Sequence, residues 1–278
     1  MTSVFPVTPE SSDAAELSDR QRREIEYHRD RAAAHAHFAT GRVDLSAVTS
    51  AHYRWWNAYW VILRKAKNLG LVGKNVLVVG CGFGDDAIQL AHLGASIKAV
   101  DISAESVAIA RQRADASAAL VDFEVSPAEK LPYADETFDL VYLPDVVHHL
   151  DIAVAMREVR RVLKQGGVVL GNEPYTHSWL EVIRQSRLVR ESIYPRMVRR
   201  IYGTEKPYIT VDERKLDQRD LRQIGHALQI IDKQYFLLVS GRLATSTFQA
   251  IVDRLILMIP FIGYFLAGRV VFHARRGS

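Results

Sequence analysis

Residues 76–86 read Val-Leu-Val-Val-Gly-Cys-Gly-Phe-Gly-Asp-Asp, a short apolar strand that runs into three alternating glycines. A helical run from Ala87 to Leu93 follows, and a second apolar strand ends at Asp101. Glycine has no Cβ atom, so such a turn lets the backbone pass close to a bulky ligand. A carboxylate on the neighbouring strand can accept hydrogen bonds from both hydroxyls of a ribose. The stretch therefore predicts a site for a ligand that carries a nucleoside.

The residue after the third glycine separates two kinds of nucleoside site. A dinucleotide-binding turn reads G-x-G-x-x-G, and its last glycine would stand where this chain has Asp85. Two carboxylates at the start of the helix, Asp85 and Asp86, would repel a pyrophosphate but could face the ammonium group of an amino-acid tail. A nicotinamide-dependent oxidoreductase is therefore the disfavoured alternative. The spacing G-x-G-x-G with Asp101 resembles motif I and its acidic partner in the class I S-adenosylmethionine (SAM) dependent methyltransferases.

Further segments resemble the same family and follow in its order. They are Glu129 to Tyr133, Thr137 to Val141, His148 to Asp151, and Arg160 to Gly167 before a strand at Val168 to Leu170. The resemblance implies an α/β, Rossmann-like class I methyltransferase fold, with a mostly parallel seven-stranded sheet and helices on both faces. It also implies an N-terminal helical lid, a C-terminal helical insertion, and SAM as the cofactor, with S-adenosylhomocysteine (SAH) as its product.

Four segments are expected along the chain. Residues 1–18 form a flexible tail, residues 19–70 an N-terminal helical lid layer, and residues 71–175 the SAM-binding Rossmann-like core. Residues 176–278 supply an acceptor-side helical insertion, the final strands and an apolar cap.

The segments outside the core are predicted to be largely helical. Ser18 is a candidate N-cap for a charged helix from Asp19 to Phe38, and an aromatic-rich helix covers Ser50 to Lys67. The later elements are a helix at Ser178 to Ile201, a helix at Asp217 to Leu228, and strands near Ile230 to Val239 and Arg269 to Ala274.

The resemblance implies a set of cofactor-binding residues. They are Gly80, Cys81, Gly82, Gly84, Asp101, Ile102, Ala128 and Glu129, with Leu143 and Pro144 under the sulfonium side. Cys81 is interpreted as a small residue that fits the tight turn, and Ile102 either packs on the adenine face or belongs to the core. Pro127 stands in the adenine loop, where many members of the family carry an acidic residue. Adenine contact is therefore expected from the Ala128 amide, with Glu129 as the weaker candidate.

Four residues are candidates for the chemistry. Methyl transfer from a sulfonium is an in-line displacement, so much of the catalysis can come from holding the two reactants in place. His148 or His149 could take a proton from the acceptor, since imidazole titrates near neutral pH, or one of them could cap a helix. Tyr27 resembles an aromatic residue of a lid helix, although that helix could also simply pack on the surface. Glu173 follows the fifth strand, at the rim where the family places acceptor contacts.

The acceptor is predicted to be a small molecule, methylated at oxygen, carbon or nitrogen. Trp55, Trp56 and Trp60 with the apolar stretch Leu255 to Leu266 suggest large apolar pocket walls, with ordinary core as the alternative. Arg184, Arg187 and Arg190 form either a solvated helix face or a contact for an anionic group. A hydrophobic natural product, lipid or glycan intermediate fits this pattern. The alternatives are a SAM-assisted cyclase or rearrangement enzyme on the same fold, and a non-enzymatic SAM-binding protein.

Length and composition bound the class of protein. With 278 residues, of which 48% are hydrophobic, the chain can bury a full α/β core. A single cysteine excludes an internal disulfide, and the N-terminus does not resemble a secretory signal. The apolar run from Leu255 to Ala267 contains Pro260 and Gly263 and is shorter than the roughly 20 residues that span a bilayer. We expect a cytoplasmic protein with no metal and no nucleic-acid partner; peripheral membrane or lipid contact and homo-oligomer formation are left open.

Overall fold

The structure is a computed structural model that describes residues 17–177, 214–237 and 265–277. Single positions between these ranges are also described: 186, 187, 191, 192, 196, 248, 251, 252, 255, 256 and 259. The predicted insertion helix and most of the predicted apolar cap therefore lie outside the described residues. Within the described ranges, no helix is both long and apolar enough to cross a membrane. The division into a lid layer, a core and an acceptor-side segment stays a prediction.

The centre of the fold is one seven-stranded sheet. Its strands are β1 (Asn75–Val79), β2 (Ser96–Asp101), β3 (Val121–Val125), β4 (Phe138–Pro144), β5 (Leu163–Pro174), β6 (Gln229–Leu237) and β7 (Ala267–Arg275). The strand order is β3-β2-β1-β4-β5-β7-β6. The first five strands are parallel, and β7 pairs antiparallel with both β5 and β6. This confirms the predicted mostly parallel sheet of the class I methyltransferase fold.

Helices cover both faces of the sheet. They are α1 (Asp19–Ala34), α2 (Ser46–Thr49), α3 (Ala58–Asn68), α4 (Asp85–Ala91), α5 (Ala104–Ala116), α6 (Ile152–Val162) and α7 (Gln218–Ala227). Alternate residues of β1 enter opposite cores, as the two-residue period of a strand requires. Val76 and Val78 pack into the cluster that includes α3, α4 and α5, while Leu77 and Val79 pack into the cluster that includes α6 and α7. Both faces of β1 are therefore buried, which explains its uninterrupted apolar sequence.

The start of α1 is confirmed, and its end is earlier than predicted. The Ser18 hydroxyl accepts a hydrogen bond from the Gln21 amide, and the Gln21 side-chain oxygen accepts one from the Ser18 amide. This reciprocal pair is a capping box. The helix ends at Ala34 instead of Phe38, and a 3₁₀ turn from Ala36 to Thr40 follows it.

The predicted helix from Ser50 to Lys67 is wrong in its first half. The Asn57 side chain accepts hydrogen bonds from the amides of Tyr59 and Trp60, at 2.9 and 3.3 Å, so α3 begins only at Ala58. Asparagine favours this N-cap position because its side chain satisfies amides that have no partner within the helix. Residues 50–57 are irregular, and Trp55 and Trp56 therefore do not share a helix with Trp60.

The later elements match their predictions where they are described. The helix predicted at Asp217 to Leu228 is α7, and the two predicted strands are β6 and β7. Of the three arginines predicted to lie along one helix face, the structure describes Arg187, whose Nε lies 3.1 Å from a carboxylate oxygen of Glu191. Arg187 is thus exposed to solvent, as expected for a solvated helix face. Arg184 and Arg190 lie outside the described residues.

Candidate active site

The glycine turn connects β1 to α4 at the carboxyl edge of the parallel strands. The amides of Gly80 and Cys81 both donate to the carbonyl oxygen of Val100, at 2.8 and 3.0 Å, which fixes the turn against the end of β2. Gly80, Gly82 and Gly84 all have positive φ, at 71°, 51° and 86°. The three alternating glycines thus correspond to backbone conformations that residues with a Cβ rarely adopt.

Two of these glycines face different surroundings. A Cβ at Gly80 would lie 2.4 Å from a methyl group of Val146, so the loop after β4 needs this glycine for its close approach. A Cβ at Gly82 would meet nothing within 4 Å. Gly82 therefore borders open space above the turn, where a ligand can approach the backbone.

Asp101 ends β2 beside this space. Its carboxylate accepts a hydrogen bond from the Gly82 amide at 2.8 Å and one from the Ser103 amide at 3.0 Å. The residue is 6% exposed. Each carboxylate oxygen accepts about two hydrogen bonds, so capacity remains for two hydroxyl donors. Asp101 and the glycine turn thus lie together, as the sequence predicts.

The prediction for Asp85 needs correction, because that carboxylate faces a cation of the chain itself. Its two oxygens lie 2.6 and 2.8 Å from the guanidinium of Arg113 on α5. Asp86 accepts instead from the Tyr142 hydroxyl at 3.2 Å. Burial, together with the charge of Asp85, raises the pKa of Asp86 to about 7.

Other predicted cofactor residues line the turn with little side-chain exposure. Cys81 is buried, and burial raises the pKa of its thiol well above the ordinary value, which suits a structural role. Leu143 is fully buried within the core, and Pro144 and Ala128 are also buried. Ile102 is half-buried. The Leu143 side chain is thus taken up by the core.

Glu129 contacts the N-terminal helix. One of its carboxylate oxygens accepts from Arg20 at 3.1 Å and from the Asp151 amide at 3.0 Å, and the other accepts from Gln21 at 3.1 Å. The predicted adenine contact is therefore replaced by a link between α1 and the loops that follow β3 and β4.

Helix α1 continues from this link across the site. Glu24 lies 3.1 Å from Nδ1 of His149, and the guanidinium of Arg31 lies over the Phe83 ring at 5.2 Å. Phe83 belongs to the glycine turn, so α1 passes from the loop after β4 to the cofactor turn. Tyr27 is half-buried, and its ring centroid lies 5.4 Å from that of His28. The structure thus places Tyr27 on a helix that contacts the turn.

Glu173 lies behind the site, and the prediction that it contacts the acceptor at the rim needs correction. It is 0% exposed, and one carboxylate oxygen accepts from the amides of Val146 and Val147 at 2.9 and 2.8 Å. The other oxygen lies 2.7 Å from Nδ1 of His148. Because β5 is the strand next to β4, a side chain at its end can hold the β4 loop from beneath. Glu173 therefore orients His148 and the loop backbone.

Asp145, which the sequence places with Leu143 and Pro144 on the loop after β4, has two partners at this edge that were not predicted. Asp145 follows β4 with a positive φ of 51°, and it accepts from the Tyr59 hydroxyl at 2.5 Å and from the guanidinium of Arg269. Arg269 also donates to the Asn172 side-chain oxygen at 3.2 Å and lies over the Tyr59 ring at 4.8 Å. An arginine within an apolar strand such as β7 was the sequence signal for a buried ion pair.

The described residues contain no group of three or more histidine, cysteine, aspartate or glutamate side chains that could hold a metal ion.

Known proteins are similar to this chain in the region that runs from β1 through the glycine turn and β4. Residues 77–171 match a family model described as a methyltransferase domain. A ubiquinone biosynthesis O-methyltransferase of Rhizobium etli is 37% identical over 100 residues, which are 36% of this chain and 40% of that protein. Methyltransferase GfsG of Streptomyces halstedii is 38% identical over 99 residues, 34% of this chain and 36% of that protein. The match thus spans about 40% of the length of the curated relatives.

Two solved structures are similar over nearly the whole chain. The [4+2]-cyclase SpnF aligns with a TM-score of 0.58 and 19% identity, covering 94% of this chain and 98% of that one. Geranyl diphosphate C-methyltransferase from Streptomyces coelicolor A3(2) aligns with a TM-score of 0.57 and 16% identity, covering 94% and 99%. At these identities the likeness concerns the fold. The family match between residues 77 and 171 shows that the chain carries a methyltransferase domain.

Proposed function

We propose that this protein transfers a methyl group from SAM to a small-molecule acceptor. The observation that carries the proposal is the Asp101 carboxylate, held 2.8 Å from the Gly82 amide and beside open space above that glycine. A ribose diol bound there would find a charged acceptor, and charge-assisted hydrogen bonds are the stronger kind. The family match over the same residues supports this assignment.

The residues of the turn and of α1 fit the remaining parts of SAM. Gly82 leaves room for a bulky ligand against the backbone, and Ile102 offers a half-buried apolar side chain next to Asp101. Helix α1 covers the turn through Arg31 and Phe83, which limits the entry of water. When bound, SAM supplies an electrophilic methyl group on a sulfonium.

The protein's own contribution is positioning and, where the acceptor loses a proton, a base. His148 and His149 lie together on the loop after β4, with ring centroids 4.0 Å apart. Glu173 accepts at Nδ1 of His148 and so orients that ring from below. An imidazole held by a carboxylate at one nitrogen keeps the other nitrogen available for proton transfer.

The acceptor class rests on the names of similar proteins. Oxygen is the methylated atom in the name of the Rhizobium etli relative, and carbon is the methylated atom in the name of the Streptomyces coelicolor structure. We therefore propose a hydrophobic small molecule, such as a natural product or lipid intermediate, and leave the methylated atom open.

Calorimetric titration of SAH into the purified protein tests the cofactor site. The wild type is expected to bind SAH saturably, and Asp101→Ala to weaken binding by about 10- to 100-fold, because charge-assisted hydrogen bonds to the ribose are lost. Asp122→Ala is the matched control, since this carboxylate lies on β3 and pairs with Lys98 at 2.6 Å. Thermal melting of each variant shows that it is folded.

The outcomes separate the alternatives. No binding of SAH to the wild type, or equal binding by Asp101→Ala, would remove the proposal. If SAH binds, acceptor candidates are incubated with SAM and the products are weighed by mass spectrometry. Gain of a methyl group supports a methyltransferase, whereas conversion without that gain supports the SAM-assisted cyclase or rearrangement enzyme.

A further inference from the structure

Two carboxylate and imidazole pairs lie side by side at the loop after β4. In the first pair, both partners belong to the sheet and its loop: Glu173 and His148 are 2.7 Å apart. In the second pair, Glu24 of α1 lies 3.1 Å from Nδ1 of His149. The two imidazoles are neighbours, but only the first carboxylate comes from the core of the fold.

Glu24 is unusual for a helix that packs over a site. It is 5% exposed, and Glu24 and Ala32 are the buried residues of α1. A buried carboxylate is costly unless it is paired. Its second oxygen has no hydrogen bond within 3.5 Å and lies 3.7 Å from Nε2 of His28. His149 is therefore the residue that explains why a carboxylate points inward at this position.

Several side chains of α1 make polar or cation–π contacts with the rest of the protein, and Ala32 is buried as well. Arg20 and Gln21 donate to Glu129 at the start of the helix, and Arg31 lies over Phe83 near its end. Glu24 lies between these two contacts. When α1 lies over the glycine turn in this position, Glu24 therefore also lies beside His149.

The contact determines which ring nitrogen of His149 carries the proton. Burial alone would raise the pKa of Glu24, but the hydrogen bond with His149 and the charges of His149 and His28 outweigh it and hold that pKa below its ordinary value. Glu24 is therefore ionised near neutral pH and can only accept a hydrogen bond. The neutral ring of His149 then has its proton on Nδ1 and its lone pair on Nε2.

We propose that Glu24 is a positioning residue for His149. Through Glu24, α1 fixes the His149 ring as its Nδ1–H tautomer. Nε2 can then accept the proton that the acceptor atom loses as this atom forms a bond to the methyl carbon and the bond between methyl and sulfur breaks, leaving SAH. The inference rests on the proposed function, and it assigns a role to the lid helix beyond the exclusion of water.

The tautomer can be measured without knowing the acceptor. Protein labelled with ¹⁵N at its ten histidines is saturated with SAH, and long-range ¹H–¹⁵N spectra distinguish the two protonated nitrogens. The His149 signal is the one missing in His149→Ala. The wild type is expected to show the Nδ1–H form, Glu24→Leu to lose it, and Glu24→Gln to keep it, since glutamine retains an acceptor oxygen. Glu26→Leu is the matched control, since Glu26 is an exposed residue of α1 whose carboxylate lies 3.9 Å from Arg29.

A second measurement links Glu24 to turnover on an acceptor identified by the mass screen. Glu24→Leu is expected to lower kcat about tenfold with SAH affinity unchanged, and to cause no further loss in a His149→Ala background. An Nε2–H ring in the wild type, or a Glu24→Leu variant that keeps the Nδ1–H form or full kcat, overturns the inference. Failure of the proposed function is a different result, because it appears as absent SAH binding in the wild type.

Discussion

At the cofactor turn, close contacts and backbone conformation limit which residue type can stand at a given position. Gly80 is required because a Cβ there would overlap Val146, and Gly82 because its φ is positive and its surface borders the ligand space. Asp101 accepts from the amide of Gly82, so the turn also preorganises the carboxylate that we assign to the ribose. The same few residues therefore shape the turn and bind the ligand.

The ionisation of Asp86 is expected to make the free energy of unfolding depend on pH. Its folded-state pKa is about 7, above the ordinary value of 3.8, because burial and the charge of Asp85 disfavour ionisation. Between about pH 4 and 7 the native state holds a proton that the unfolded chain has lost, so stability falls as pH rises through this window. Asparagine cannot ionise, so Asp86→Asn removes the unfavourable free energy of a buried charge at this position at high pH. We expect it to raise the melting temperature at pH 8 by a few degrees, for a gain of about 1 kcal/mol, and to have a smaller effect at pH 5.

Asp115→Asn is the control for this measurement, since Asp115 is an exposed carboxylate on α5. Equal shifts for Asp86→Asn at both pH values would contradict the assignment, as would a shift of the same size in the control. Calorimetric melts at the two pH values decide between these outcomes.

At the scale of elements, α1 is a helix held over the site by a few polar contacts. Glu129 makes two of them, with Arg20 and Gln21, and it also accepts from the Asp151 amide outside this helix. We expect Glu129→Ala to speed amide hydrogen exchange in α1 roughly tenfold, because the loss of a hydrogen-bonded ion pair costs about 1 to 2 kcal/mol of local stability. Exchange in β1 and β4 should remain at the wild-type rate.

Hydrogen exchange followed by mass spectrometry checks this prediction peptide by peptide. Glu105→Ala on α5 serves as the control, since its carboxylate accepts a local hydrogen bond from the Ser103 hydroxyl at 3.1 Å. Unchanged exchange in α1, or faster exchange throughout the sheet, would show that Glu129 is not a specific link for this helix.

The helices and strands also show which structural features local sequence can predict. The N-cap at Ser18 could be predicted because its partner, Gln21, lies three residues away in sequence. The aromatic segment before α3 was misread as helix, because residue type and spacing favoured one and the Asn57 cap was overlooked. The sequence places Glu173 at the rim because the predicted strand ends at Leu170, whereas β5 continues to Pro174 and the burial of Glu173 depends on a loop 26 residues earlier.

For the whole molecule, local pattern predicted the sheet and the cofactor turn, since each strand and glycine is specified by its neighbours in sequence. The ion pairs that join distant segments could not be predicted in this way. Arg269 on the last strand meets Asp145 across 124 positions of sequence, and Glu24 meets His149 across 125. The composition of one segment does not indicate which distant residue it will contact, because such contacts depend on how the complete sheet is assembled.

The Arg269 cluster gives a prediction about global stability, because it joins α3, the loop after β4 and the last strand. Arg269 is 9% exposed, and its guanidinium neutralises Asp145, donates to Asn172 and lies over Tyr59. Arg269→Met fills a similar volume but leaves the carboxylate without its cation. We expect a loss of about 1 to 3 kcal/mol in the free energy of unfolding, since the Asp145 carboxylate loses its cation but is partly exposed to solvent.

A matched control and a double variant make this prediction specific. Arg275→Met changes an exposed arginine on the same strand and should cost less than about 0.5 kcal/mol. Adding Asp145→Asn to Arg269→Met should recover part of the loss, because the uncompensated carboxylate is then gone, whereas independent sites would add their losses. Urea denaturation of the wild type, Arg269→Met, Asp145→Asn, the double variant and the Arg275→Met control measures these differences. Additive losses in the double variant would mean that Arg269 stabilises the fold through packing alone and that its charge does not join β7 to the loop after β4.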